Sequence, residues 1–245
     1  MAGRVIAKRV LVLALVMGVA GGGASAAEWV RGRIEEKWVT PEQVASLDPA
    51  VRGPIAEIQK LGGTVAIDQR SPGKPIVWLV LSGTKVTDVG LEHLKGLTQL
   101  QSLNLRGTKV TDAGLVHLKG LTQLRELDLA RSRTILPDVT DAGLVHLKGL
   151  NQLQTLNLWG TKVSDDGLKH LKGLRQLQML DLSGTKVSDA GLKHLKGMRQ
   201  LQTLDLSRTK VTNAGIGKLK KALPNCAISN RVSYYMMPPP TRKAK

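Results

Sequence analysis

The chain contains five histidines, His93, His117, His146, His170 and His194, and each stands in the same local pattern, His-Leu-Lys-Gly. A row of imidazoles raises the question of a metal centre. Such a centre needs three or four ligands converging on one point, usually backed by carboxylates. This pattern offers one imidazole per copy and no regularly repeated carboxylate beside it, Glu92 being the one local candidate. The expectation is a half-exposed structural column, with no metal and no cofactor. Cys226 is the only cysteine, so no intrachain disulfide can form. Nothing in its neighbourhood would depress its pKa, and it reads as a buried strand residue closing the fold rather than a nucleophile. No serine, cysteine or acid pair stands in a strand-turn-helix nucleophile setting, and no phosphate loop appears, so the chain reads as non-catalytic.

Lysines recur in two further rows, Lys85, Lys109, Lys162, Lys186 and Lys210, and Lys95, Lys119, Lys148, Lys172 and Lys196. Aligned like charges repel unless solvent or a partner screens them. A solvated basic face is the plain reading, and binding of a polyanion or an anionic envelope surface is the alternative. The scarcity of aromatics, 2% of the chain with no phenylalanine, leaves no stacking platform among the lysines and argues against nucleic acid.

The elements that carry these rows are copies of one unit. The last leucine of each Leu-x-Leu pair falls at Leu81, Leu105, Leu129, Leu158, Leu182 and Leu206, with Ile228 as a final marker, giving spacings of 24, 24, 29, 24, 24 and 22. In the unit Leu100–Gln123 the alternation of Leu103 and Leu105 predicts a short strand with one buried face. Gly107-Thr108 then turns, Val110 returns to the core, and Thr111-Asp112 offers a helix N-cap with an acid in the first turn. Leu115 and Leu118 follow at helical spacing, and Gly120 is placed to stop the helix. One such unit cannot bury its own leucines, so neighbours must stack into a continuous core.

This pattern, L-x-x-L-x-L-x-x-T-x-V-T-D-x-G-L-x-x-L, resembles the leucine-rich repeat family in a bacterial, extracytoplasmic form. The resemblance covers roughly residues 76–230. It implies an α/β solenoid, with parallel strands on a concave face, short helices on a convex face, and an N-terminal helical cap. The family's usual asparagine after the strand is threonine here, at Thr84, Thr108, Thr161, Thr185 and Thr209, with Ser132 in the unit that carries the insertion. The resemblance also implies a protein ligand on the concave face. The outward strand residues there would include Arg106, Glu126, Asp128, Asn157, Trp159, Asp181 and Asp205, a locally acidic surface on a basic protein.

Two irregularities break the copying. Five extra residues, Arg133 to Pro137, extend one turn, and Trp159 ends the next strand. Trp159 with Arg106, Arg131, Arg133, Ile135 and Leu136 has the composition of an interface hot spot, and Asp128, Asn157, Asp181 and Asp205 complete the candidate partner-binding set. The competing reading has Ile135 and Leu136 folding back as a plug with Trp159 as its lid.

At the start of the chain, Arg4, Lys8 and Arg9 precede an apolar run from Val10 to Ala20 and the small residues Ala24-Ser25-Ala26. This is the layout of a cleaved signal peptide, residues 1–26, since the run is well short of the roughly 20 residues that span a bilayer. No cysteine near the cleavage site offers a point of lipid attachment. The formal net charge is +17, of which those three residues supply three, leaving +14 on residues 27–245. Residues 27–75 read as an N-terminal cap, with a capping box from Thr40 to Gln43, a helix in PIAEIQKLGG and a strand at Thr64–Asp68. Residues 76–230 are the repeat domain and 231–245 a mobile basic tail. The whole reads as a monomer, periplasmic or secreted, that binds a protein partner.

Overall fold

In the computed structural model the described residues are Val44, 49–68, 75–132 and 139–230. The signal segment, the capping box at Thr40 to Gln43, residues 133–138 and the tail lie outside them.

Helix α1 (Pro49–Lys60) opens the described part, starting five residues before the expected Pro54 and running through it. It ends as a glycine stop should: Gly62 adopts φ 83°, and the Gly62 and Gly63 amides donate back to the Gln59 and Ile58 carbonyls. Strand β1 (Thr64–Ile67) pairs antiparallel with β2 (Ile76–Val80). From β2 onward the sheet is parallel and strictly sequential, through β3 (Ser102–Asn104), β4 (Glu126–Asp128), β5 (Thr155–Asn157), β6 (Met179–Asp181), β7 (Thr203–Asp205) and β8 (Ala227–Ser229).

Leu79, Leu103, Leu127, Leu156, Leu180, Leu204 and Ile228 occupy one register position in successive strands. The final spacing in the sheet is therefore 24 residues, Leu204 to Ile228, and not the 22 expected from pairing Ile228 with Leu206. The misreading is by two residues, the side-chain period of a strand, so an inward residue was exchanged for another inward residue. The insertion leaves the stacking unaltered. Leu127 pairs with Leu156 as any other layer does, and beyond the insertion Val139 is buried and its carbonyl accepts from the Lys162 amide, as that of Val163 does from Lys186.

Behind the sheet each unit returns through a helical turn, but most are 3-10 turns: Val89–Leu94, Gly114–Leu118, Val145–Leu147, Lys169–Leu171 and Gly191–His194. Short α-turns precede two of them, α2 (Asp141–Leu144) and α3 (Asp165–Leu168), and only α4 (Asn213–Ala222) is a full helix. A 3-10 turn rises about 2.0 Å per residue against about 1.5 Å for an α-helix, so it crosses the layer with fewer residues. Gly120, the glycine expected to cap its turn, is absent from the left-handed region, and Lys119 before it is right-handed helical, whereas its counterpart one unit earlier, Gly96, takes φ 91° after the Val89–Leu94 turn. Four further left-handed glycines lie just after the strands, at Gly83, Gly107, Gly160 and Gly184, with φ between 64° and 68°. Arg208 takes the same conformation at φ 57° without being a glycine.

The layers are tied by side chains as well as leucines. The Oγ1 hydroxyls of Thr84, Thr108, Thr161, Thr185 and Thr209 donate to the carbonyl three residues back, at 2.6–2.8 Å, taking over the turn that asparagine holds elsewhere in such repeats. Each Thr-Asp or Ser-Asp pair makes a bond that the capping expectation missed. Asp88 accepts from both the amide and the hydroxyl of Thr111 in the next layer, each at 2.7 Å. Asp112 does the same for Thr140, Asp141 for Ser164, Asp165 for Ser188 and Asp189 for Thr212. The glycine three residues after each donating hydroxyl makes room: a Cβ on Gly114, Gly143, Gly167 or Gly191 would lie 2.3 Å from the carboxylate Oδ1. In the last unit Asn213 replaces the aspartate. The capping expectation holds in part, since Thr140 and Thr212 do accept from amides of the turns they open.

Candidate functional site

The histidine column is half-buried on the helical side, each ring just beside the buried leucines. The Nδ1 atoms of His146, His170 and His194 are buried without a hydrogen-bond partner. Burial first, and then neighbouring lysines such as Lys119, Lys148 and Lys172, hold these three below the ordinary histidine range. Among the described residues no three histidine, cysteine or acidic side chains converge as a metal site would require. Cys226 is buried just before β8, and burial pushes its thiol up to about 11, away from nucleophilic use at neutral pH.

On the sheet side, one column follows the strands: Ser82, Arg106, Ala130, Trp159, Ser183 and Ser207. Backbone bonds carry the ladder through this level, with the Gly107 amide donating to Ala130 O at 2.9 Å and the Arg131 amide to Trp159 O at 3.0 Å. Trp159 draws two cations to its ring, the Arg106 guanidinium at 5.2 Å from the centroid and that of Arg131 at 5.4 Å. Each contact contributes about 0.5–1 kcal/mol at a partly exposed site. Small residues make the cluster possible. Arg106 reaches Trp159 from two layers away, roughly 10 Å at ordinary strand spacing, over the methyl group of buried Ala130. Arg131 lies over Gly160, where a Cβ would stand 2.3 Å from its Cδ, and its Nε is buried with no hydrogen-bond partner. The structure thus brings together Trp159, Arg106 and Arg131, with Trp159 half-buried rather than fully exposed. Arg133, Ile135 and Leu136 lie outside the described residues.

The acidic members of the candidate set sit differently from expectation. Asp128 is 7% exposed and Asn157 6%, so neither is an outward-facing contact residue. Their oxygens hold the strand ends: Asp128 Oδ1 accepts from the Ala130 amide at 2.9 Å and Asn157 Oδ1 from the Trp159 amide at 3.0 Å. Asn104, Asp181 and Asp205 accept in the same way from Arg106, Ser183 and Ser207. Asp181 and Asp205 are half-buried. The sequence carried a signal for this: asparagine and aspartate alternate at one position, Leu-Asn-Leu or Leu-Asp-Leu, and what the two share is a short acceptor oxygen. Stacking also strains the acids. Burial raises Asp128 to about 6, with its bond to Ala130 and nearby Arg106 pulling the other way. Burial likewise raises Asp181, against its bonds to Ser183, and raises Glu126, against the hydroxyl of Ser102 that donates to it at 2.9 Å.

A family model described as Leucine rich repeat matches residues 75–133 and 142–211, more than half the chain. The chain belongs to the leucine-rich repeat family. Among solved structures it is similar to internalin C2 of Listeria monocytogenes, with 25% identity over 76% of this chain and 84% of that one, at a TM-score of 0.46. A second internalin of the same organism is 21% identical over 76% of this chain and 56% of its own, with a TM-score of 0.46. TLR13, in its complex with ssRNA13, is 21% identical over 62% of this chain and 21% of its own, with a TM-score of 0.47. No curated protein matches. Within this leucine-rich repeat protein no described helix is long and apolar enough to cross a membrane.

Proposed function

We propose that this leucine-rich repeat protein is an exported, non-catalytic binding module that holds a protein partner on its sheet face around Trp159. One observation carries the reading: in a column otherwise made of serine and alanine, Trp159 gathers Arg106 and Arg131 against its ring. Copied positions present the same surface in every layer, so discrimination must come from where the copies differ. An aromatic side chain ringed by arginine is the usual composition of a binding anchor. In this reading residues 1–26 are removed on export, 27–75 cap the array, 76–230 form the solenoid and 231–245 trail from it. The insertion carrying Arg133, Ile135 and Leu136, which follows Arg131 in the sequence, is assigned to the same binding set, Asp181 and Asp205 supply a polar rim, and buried Asp128 and Asn157 support the strand ends beneath. The protein acts as a monomer in the periplasm or outside the cell.

The test is capture of partners from an extracytoplasmic extract by the parent and by three variants, followed by affinity measurement at low and moderate salt. Trp159→Ala should weaken binding by about 2 kcal/mol or more. Deleting residues 133–137 should weaken it while sparing the fold, because the layers on either side already stack in register. Neutralising Lys109 and Lys186 should matter little. A Trp159→Ala variant that binds like the parent, beside a lysine variant that fails, would replace the sheet face by the lysine rows and an anionic partner.

A further inference from the structure

The helical side carries a charge gradient that the copied lysine rows conceal. In segment 88–100 one cation stands against two acids, and in 112–124 and 141–153 one stands against one. From there the balance climbs layer by layer. Segment 165–177 has Lys169, Lys172 and Arg175 against two acids. Segment 189–201 repeats the triplet as Lys193, Lys196 and Arg199, now against one. Segment 213–225 ends with Lys218, Lys220 and Lys221 and no acid at all. All nine cations are exposed. In the first two of these segments the added cations stand where earlier layers have valine, threonine or asparagine, Lys169 and Lys193 for Val116 and Val145, and Arg175 and Arg199 for Thr122 and Asn151; in the third, Lys218 and Lys221 take the places of the copied histidine and glycine.

The few acids in this region are already engaged. Asp165 holds Ser188 and Asp189 holds Thr212 in the layer-to-layer bonds. Asp166 reaches Lys169 at 3.7 Å, the one ion pair that any of these cations makes among the described residues. The local field is felt by the rings beneath it: after burial, lysines of this side are what depress His170 and His194.

We infer that the helical side of the last three layers is a docking surface for an anionic phospholipid membrane, formed by the cation triplets of segments 165–177, 189–201 and 213–225. Charge selects the occupant. The nine exposed cations lie in three successive stacked layers, so they form a two-dimensional array that a plane of anionic headgroups matches, whereas a single polymer chain would follow one row of it. Lysine dominates, and a lysine is a flexible point charge without the planar fork that selects one carboxylate or phosphate geometry. The segments hold no aromatic residue, which leaves bases nothing to stack on. Docking here leaves the sheet face free, and it stands whether or not Trp159 anchors a protein.

The test is sedimentation of the cell-processed chain with vesicles of phosphatidylcholine alone and of equimolar phosphatidylcholine and phosphatidylglycerol. Binding is expected to the anionic vesicles only and to fall steeply as salt is raised. The triple variant Lys193→Glu, Arg199→Glu, Lys218→Glu should lower partitioning about tenfold or more. The triple variant Lys85→Glu, Lys95→Glu, Lys109→Glu makes the same change in net charge at the other end of the array and should keep most of the binding. Equal loss in both variants, equal binding to both kinds of vesicle, or retention on a soluble sulfated polysaccharide without vesicle binding would each overturn the inference.

Discussion

Asp128 shows how a copied position can carry a cost in one layer and none in the next. Its job, accepting the amide two residues on, is done in the layers on either side by the uncharged Asn104 and Asn157. The bond to Ala130 and nearby Arg106 favour the charged form, but burial outweighs them and raises its pKa to about 6. A carboxyl that titrates higher in the fold than in the unfolded chain costs stability as pH rises from about 4 to 6, because the unfolded chain ionises first. Asp128→Asn should therefore be more stable than the parent by roughly 1–3 kcal/mol at pH 7, with the gap closing below about pH 4. Urea titrations at both pH values check this, and parallel pH profiles would contradict it. The histidines work the other way. His146, His170 and His194 are held below their ordinary range, so their contribution is present above about pH 6.5 and fades as the pH falls toward their folded values.

Within one unit, the Thr-Asp-x-Gly stretch couples two elements that sequence reading treats as one. A Cβ on Gly167 would lie 2.3 Å from Asp141 Oδ1, so Gly167→Ala must displace the carboxylate that holds Ser164. The loss of these bonds, with a charged acceptor, should cost about 2–3 kcal/mol. Gly120→Ala, at a glycine with open space and an ordinary φ, should be neutral or stabilising by up to about 1 kcal/mol. Adding Asp141→Ala to Gly167→Ala should cost little more than either alone, since both remove the same bonds. Thermal or denaturant unfolding of the four proteins decides it, and full additivity would mean the two residues act separately. Strand and turn positions were readable because their periods are local. The aspartate bond was not, because its partner is 23 residues on and becomes a neighbour only when layers stack. The trace it leaves in the sequence is the recurring glycine two residues after each aspartate.

Over the whole molecule, repeat period, strand order and leucine core were legible, since a period of 24 admits one way of stacking. The assignment of faces was legible in part. Arg106, Arg131 and Trp159, expected to be neighbours, do lie together, whereas the buried state of Asp128 and Asn157 depends on side chains from several layers that no single unit reveals. Processing is a whole-chain property too. Arg4, Lys8 and Arg9 before an apolar run and Ala24-Ser25-Ala26 predict that the protein isolated from its source begins at Ala27. Intact-mass measurement tests this, and a membrane-bound chain retaining Met1 would refute it.

The aspartate bonds also have a direction. Every carboxylate reaches forward to the following unit and none reaches back, and the series stops where Asn213 stands in the aspartate's place. During synthesis a chain emerges with its N-terminus first, so each acceptor is already in position when the hydroxyl it binds arrives. The array can assemble in the order in which it is made, each new coil closing on a template that its predecessor has set, with no wait for the C-terminus.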